Sequence, residues 1–206
     1  MNAQMNSQLT VFIVDDDPAV RDALGLLLGV HDYRVALFAD GESFLGAFRP
    51  DWRGCVLLDI RMPGIDGLSL QKKLNQAASQ LPVIVMTGHG DVASAREAFR
   101  ALALDFLEKP LDRERLLAAI DEAFAQQRDT LRQIEDRQES KQLLTHLTPR
   151  ETEIMERVVA GRHNREIAAE LGISPRTVEV HKARMMDKLG VHSVAELVRL
   201  QLTGER

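Results

Sequence analysis

Residues 11 to 20 read VFIVDDDPAV: four apolar residues, three adjacent aspartates and a proline. An apolar run this short, rich in β-branched residues and closed by a turn signal, reads as a buried strand. Asp17 directly precedes Pro18, the order of an N-cap followed by proline at the first helical position, so the third aspartate starts a helix. Asp15 and Asp16 need another purpose, because adjacent carboxylates at a strand end repel one another. Four similar runs follow at 34–38 (RVALF), 55–58 (CVLL), 82–86 (PVIVM) and 104–107 (LDFL), each leading into a helix-like stretch. Strands alternating with helical patterns predict βαβ units, a parallel sheet with buried central strands, and an α/β fold. Five repeats give a flavodoxin-like (βα)5 domain over residues 1–125, with strand order 2-1-3-4-5.

The rest of the 206-residue chain differs in character. Residues 1–125 carry 12 Lys/Arg against 18 Asp/Glu, whereas residues 146–206 carry 10 against 9 and four of the six histidines. This permits nucleic-acid binding at the C-terminal end without arguing for it. No apolar run nears the roughly 20 residues that cross a bilayer, and the N-terminus lacks the pattern of a signal peptide, which places the chain in the cytoplasm with no membrane partner. Cys55, the one cysteine, excludes an internal disulfide and reads as a small core residue.

In a 2-1-3-4-5 sheet, ligands bind at the carboxyl ends of strands 1 and 3. Asp15 and Asp16 end strand 1, and Asp59 ends strand 3 in VLLDIRMPGIDG. Three carboxylates converging there call for a cation, and a hard divalent ion such as Mg2+ fits oxygen donors. Thr87, in VMTGHGD, brings a hydroxyl from strand 4; Lys109, in LEKP, brings an ammonium from strand 5. Together they make a site for a phosphoryl group on an aspartate.

The ordered set VDD, LDIRMPGIDG, TGHG and EKP resembles the receiver domain of bacterial two-component response regulators over the first 125 residues. The resemblance implies that Asp59 accepts a phosphoryl group from a sensor histidine kinase. It also implies that Asp16, Asp59 and the backbone carbonyl of Arg61 hold Mg2+, with Asp15 acting through water. Thr87 would bind phosphoryl oxygens, and Phe106 stands at the family's aromatic switch position; its alternation with Leu104 by itself reads as plain core, so the switch role rests on the resemblance. The switch would remodel the surface of the helix before strand 5, strand 5 itself and the helix after it. His89 reads as a loop histidine and Asp66 as a turn or cap residue. Leu102 stands where receivers usually carry glycine, so either its backbone is strained or the preceding helix ends differently.

Between Pro110 and Pro149 there is no glycine or proline, and Leu117, Ile120, Phe124, Leu131 and Ile134 keep an alternating three/four spacing that Gln127 interrupts. The spacing favours one helix from Asp112 to about Thr145, making 126–145 a helical linker, with a flexible polar linker as the alternative. Beyond it, TPRE (148–151) is a capping box with Thr148 as N-cap and Glu151 at the third position. Asn164, Ser174 and Ser193 open three more helices, and Gly161, Gly172 and Gly190 close the first three of the four. Residues 146–206 thus form a small four-helix domain with a helix-turn-helix, REIAAEL, GISP, RTVEVHKARMMDKL. On its second helix Val178, Met185 and Leu189 face inward and His181 lies near that side.

This stretch is similar to the LuxR-type DNA-binding domain of NarL/FixJ response regulators, nearest the FixJ branch. The resemblance implies base contacts from Glu179, Val180 and Ala183 and phosphate contacts from Arg176, Thr177, Lys182, Arg184 and Lys188. The expectation is a DNA-binding transcriptional regulator that binds promoter DNA as a homodimer on phosphorylation and engages RNA polymerase. It is not an enzyme beyond accepting and hydrolysing its own phosphoryl group. A Mg2+-dependent phosphatase with an aspartate nucleophile is the alternative, but it requires an aspartate where Ala19 stands and has no use for a helix-turn-helix. A regulator acting only on proteins is disfavoured by Arg176, Lys182 and Arg184.

Overall fold

A computed structural model describes residues 9–88 and 102–205. Among them are five strands and eight helices, in two compact units that divide after Leu131. In the first unit, β1 (Thr10–Val14), β2 (Arg34–Phe38), β3 (Gly54–Asp59), β4 (Val83–Thr87) and β5 (Asp105–Glu108) form a parallel sheet in the order β2-β1-β3-β4-β5. The helices are α1 (Pro18–Val30), α2 (Gly41–Ala47), α3 (Gly67–Gln76) and the start of α4 (Arg113–Thr145).

Every residue of β3 and β4 is buried, as expected of central strands covered on both faces. Alternate residues serve opposite faces. Val11, Ile13, Leu57, Ile84 and Met86 pack with Leu24 and Leu28 of α1 and with Leu116, Ile120 and Phe124 of α4. Phe12, Val14, Val56, Leu58, Val83 and Val85 pack with Phe44 of α2 and with Leu70 and Leu74 of α3. Cys55 belongs to the first layer, and burial pushes its thiol pKa up, in keeping with a core role.

Register places the site. Val14 pairs with Leu58, so Asp15 and Asp59 are the next residues on adjacent strands. Thr87 pairs with Glu108, and the Lys109 N–H donates to the Thr87 carbonyl at 2.7 Å. Four of the predicted side chains therefore emerge at one carboxyl edge.

Helix α4 is continuous from Arg113 to Thr145, about 50 Å at 1.5 Å per residue, so the flexible-linker alternative is set aside. Its interruption at Gln127 has a physical reason. Gln127 is fully buried: its Oε1 accepts the Gly54 N–H at the start of β3, and its Nε2 donates to the Gln80 carbonyl at 3.4 Å. The polar residue in the seam ties the helix to the amino ends of the sheet.

In the second unit α5 (Pro149–Val159), α6 (Asn164–Leu171), α7 (Pro175–Leu189) and α8 (Val194–Glu205) enclose Ile154, Val158, Ile167, Val178, Met185, Leu189 and Leu197. Leu143 and Leu144, at the end of α4, pack against this core. Thr148 and Ser174 are N-caps as read, and Gly172 and Gly190 close their helices in the left-handed region. The cap of α6 needs correction. Its N-cap is His163, with Asn164 already helical, because Glu166 reaches back to accept the His163 N–H at 2.7 Å.

Leu102 adopts φ 66° and is 78% exposed. The strained alternative is therefore the one realised: a branched side chain occupies a backbone conformation suited to glycine. His89 lies outside the described residues.

Candidate functional site

The β1–α1 turn is shaped by its aspartates. Asp17 caps α1 by accepting the Ala19 N–H at 2.8 Å, with Pro18 at the first helical position. Asp15 is fully buried; its Oδ1 accepts the Asp17 N–H at 3.0 Å and its Oδ2 accepts from Lys109 Nζ at 2.6 Å. The same ammonium donates to Asp59 Oδ1 at 2.6 Å, and Asp59 Oδ2 accepts the Arg61 N–H at 2.7 Å.

The anticipated convergence of three carboxylates is thus realised for two. Asp15 is buried directly after β1, whereas Asp16 lies in the bend that follows. Asp16 is exposed, and its carboxylate has no hydrogen bond or ion pair among the described residues. The first cation that offsets the repulsion of Asp15 and Asp59 is Lys109. Among the described residues no cluster of three or more His, Cys, Asp or Glu side chains stands ready to hold a metal ion.

Electrostatics follow from burial. Asp59 is 5% exposed, and loss of hydration raises its carboxyl pKa; Lys109 opposes this, while the charge of Asp15 adds to it. Burial works against the Lys109 ammonium, yet bonds to Asp15 and Asp59 outweigh it and hold its pKa above the ordinary lysine value. A carboxylate ringed by donors but short of full charge compensation suits the transfer of an anionic group. Thr87 is buried at the end of β4. Phe106 is half-buried against the layer of Phe12, Val85 and Ala103, so its side chain belongs partly to the core.

The loop after β3 has little freedom. Asp66 caps α3 by accepting the Ser69 N–H at 2.7 Å, the turn role read from sequence. A Cβ on Gly67 would stand 2.2 Å from the Asp59 carbonyl oxygen, so only glycine lets α3 start this close to β3.

In the second unit the outer face of α7 carries Arg176, Glu179, Val180, Ala183 and Arg184, all exposed, while Val178, Met185 and Leu189 are buried and His181 is half-buried. Several polar groups on this helix are already engaged. Arg176 pairs with Glu179 at 2.9 Å. Thr177 shares its hydroxyl with the cap Ser174 at 2.8 Å. Lys188 donates at 2.7 Å to Glu151 Oε2, which also accepts the N–H and the hydroxyl of Thr148, both at 2.9 Å. The bond from Lys188, with those from Thr148, lowers the Glu151 pKa to about 2. Sequence reading placed Lys188 at a phosphate contact and missed this pairing; the only available signal was the spacing of Glu151 as a capping-box residue. Lys182 and Arg184 have no such partner among the described residues.

Comparison with known proteins gives a family for each unit. The family described as "Response regulator receiver domain" matches residues 11–121, and "Bacterial regulatory proteins, luxR family" matches residues 145–201. The transcriptional regulatory protein FixJ of Bradyrhizobium diazoefficiens is 42% identical over 198 residues, covering 96% of this chain and 97% of its own. The tetrathionate response regulatory protein TtrR of Salmonella typhimurium is 40% identical over 92% of this chain and 90% of its own. Among solved structures, the response regulator StyR aligns with a TM-score of 0.82 at 38% identity, covering 95% of this chain and 98% of its own. Full-length FixJ from B. japonicum aligns with a TM-score of 0.59 at 42% identity over 96% and 98%. With a receiver match on the sheet, a luxR match on the helix-turn-helix and FixJ similarity across both, the chain belongs to the two-component response regulators of the NarL/FixJ type, DNA-binding regulators of transcription rather than enzymes.

Proposed function

We propose that a sensor histidine kinase phosphorylates Asp59, that the receiver surface changes in response, and that the helix-turn-helix then binds a two-half-site promoter as a homodimer and engages RNA polymerase. The working division is a receiver over 1–125, a linker over 126–145 and a DNA-binding domain over 146–206. The carrying observation is the Asp59 carboxylate, nearly buried at the end of β3 and bonded at 2.6 Å to Lys109. An Asp59 oxygen attacks phosphorus of a phosphohistidine, the P–N bond breaks as the P–O bond forms, and the imidazole leaves with a proton. Lys109 offsets the charge of the transferring group, and the Thr87 hydroxyl takes a phosphoryl oxygen.

The donor set fits Mg2+. Asp15 and Asp59 share the single Lys109 ammonium, Asp16 at the adjoining turn has a carboxylate with no partner among the described residues, and every donor is a hard oxygen. Asp16, Asp59 and the Arg61 carbonyl would hold the ion, with Asp15 acting through water. Bound there, Mg2+ supplies further neutralisation of phosphoryl oxygens. Phosphorylation then draws Thr87 inward and lets Phe106 follow.

On α7, Lys182 and Arg184 are the phosphate-holding groups best placed to act, because Arg176, Thr177 and Lys188 begin with partners inside the chain. Glu179, Val180 and Ala183 face the bases, Val180 and Ala183 offering apolar contact to thymine methyls.

Incubation with acetyl phosphate and MgCl2, followed by peptide mass spectrometry, is expected to place one phosphoryl group on Asp59. Undiminished phosphorylation of Asp59→Asn would overturn the assignment.

A further inference from the structure

Arg21 stands about one turn into α1, and its guanidinium reaches back across the β1–α1 turn. Nη1 donates to the backbone carbonyl of Asp15 at 2.7 Å. With that bond, every polar group of Asp15 is tethered. The N–H donates to the Phe38 carbonyl at 3.2 Å, Oδ1 accepts from Asp17, Oδ2 accepts from Lys109, and the carbonyl accepts from Arg21. The Asp15–Asp16 peptide is planar, so fixing its carbonyl also fixes the direction in which the chain enters Asp16. Asp16 itself has no side-chain tether among the described residues. The peptide that enters Asp16 is held by Arg21 and the peptide that leaves it by the bond of the Asp17 N–H to Asp15 Oδ1, so the backbone is fixed on both sides of an untethered carboxylate.

The guanidinium carries charge as well as a donor. It is near enough to contribute to the lowered pKa of Asp40, whose main causes are hydrogen bonds from Ser43 at the start of α2. The backbone carbonyl of Asp15, just past β1, and the cap of α2 therefore share one cation, at the carboxyl edge of the sheet.

We infer that Arg21 is a positioning residue of the phosphoacceptor site: by locking the Asp15–Asp16 peptide it holds Asp16 ready for a divalent cation. The inference rests on the reading of Asp59 and its neighbours given under Proposed function. Groups that orient a metal ligand typically contribute 10- to 100-fold to metal affinity, and Arg21 belongs in that class. Because a single N–H makes the bond, lysine can replace it where an uncharged, shorter glutamine cannot.

The test uses the full chain and MgCl2 alone, reading backbone amide NMR shifts of Asp16 and Arg61 against Mg2+ concentration. Arg21→Gln is expected to weaken Mg2+ binding by at least about 10-fold, and Arg21→Lys to recover most of it. In an Asp16→Asn background, Arg21→Gln is expected to add little, because both act through one ligand. Trp52 fluorescence reports whether each variant is folded. A folded Arg21→Gln with wild-type Mg2+ affinity overturns the inference, as does an equal loss with and without Asp16. If the wild-type chain takes Mg2+ and is phosphorylated on Asp59, either result leaves the functional reading standing; a wild-type chain that takes no Mg2+ overturns both.

Discussion

Glu151 offers the sharpest quantitative test, because one carboxylate oxygen serves a helix cap and a side chain from another helix at once. Its Oε2 accepts from the Thr148 N–H and hydroxyl at 2.9 Å each and from Lys188 Nζ at 2.7 Å. The pKa falls from 4.5 to about 2, chiefly through Lys188 and then Thr148. At about 1.4 kcal/mol for each tenfold change in proton affinity, that lowering sets a ceiling of about 3 kcal/mol. Lys188 is 39% exposed, so water screens the pair and the ceiling must be cut by about half. An independent route agrees: a helix cap contributes about 1 kcal/mol and an exposed ion pair ~0.2–1 kcal/mol. Glu151→Gln should therefore destabilise the second unit by about 1–2 kcal/mol at pH 7, and Glu151→Ala by more, since it also leaves the Thr148 N–H without its acceptor.

The pH dependence has a fixed sign. A depressed carboxyl pKa stabilises the fold above the unfolded value near 4.5, and that stability is lost as pH falls toward about 2. At pH 2 the gap between wild type and Glu151→Gln should shrink to a few tenths of a kcal/mol. Urea denaturation can separate the units. Trp52, the only tryptophan, stacks on Phe12 at 4.3 Å in the first unit, whereas far-ultraviolet circular dichroism also follows the second. The dichroism transition should move while the fluorescence transition stays. An unchanged dichroism midpoint at pH 7, or a gap equally large at pH 2, would refute the reasoning.

Three further outcomes are expected. Gln127→Ala leaves the Gly54 N–H without its buried acceptor and should cost ~1–3 kcal/mol, read as a lower urea midpoint in Trp52 fluorescence; no shift would show that water replaces the amide. Leu102→Gly should stabilise the first unit by up to about 1.5 kcal/mol, because it removes a left-handed leucine strain of ~1–2 kcal/mol against a glycine entropy cost of ~0.5–1 kcal/mol; a loss of stability would mean the exposed side chain contributes contacts that outweigh its strain. Arg184→Ala should lower the slope of log affinity for promoter DNA against log salt by about one, measured by fluorescence anisotropy; an unchanged affinity and slope would put the wrong face of α7 on DNA.

What could be read from sequence was whatever short-range physics dictates. VFIV and CVLL announce buried strands because alternate residues must satisfy two opposite layers, and Asp17 with Pro18, Thr148 with Glu151 and Ser174 with Pro175 announce helix starts because each cap bonds within three residues. Strand order followed from the number of βα repeats, and it placed Asp15, Asp59, Thr87 and Lys109 at one edge. Contacts that join distant positions had no local signal. Gln127 looked like a flaw in a hydrophobic seam because its partner Gly54 lies 73 residues away. Lys188 looked like one more charge on a DNA-facing helix because Glu151, 37 residues earlier, already had a complete local role as a capping residue. Asp16 is the instructive case between these extremes. Its type and position mark it for the site, but sequence counts three carboxylates, whereas the turn after β1 buries the first against Lys109 and leaves the second exposed in a bend. Charge repulsion at VFIVDDDPAV is thereby relieved twice over, by Lys109 for the inward carboxylate and by water for the outward one. The outward carboxylate is the one left with lone pairs free, and this, rather than the number of acidic residues, is what recommends it as a ligand.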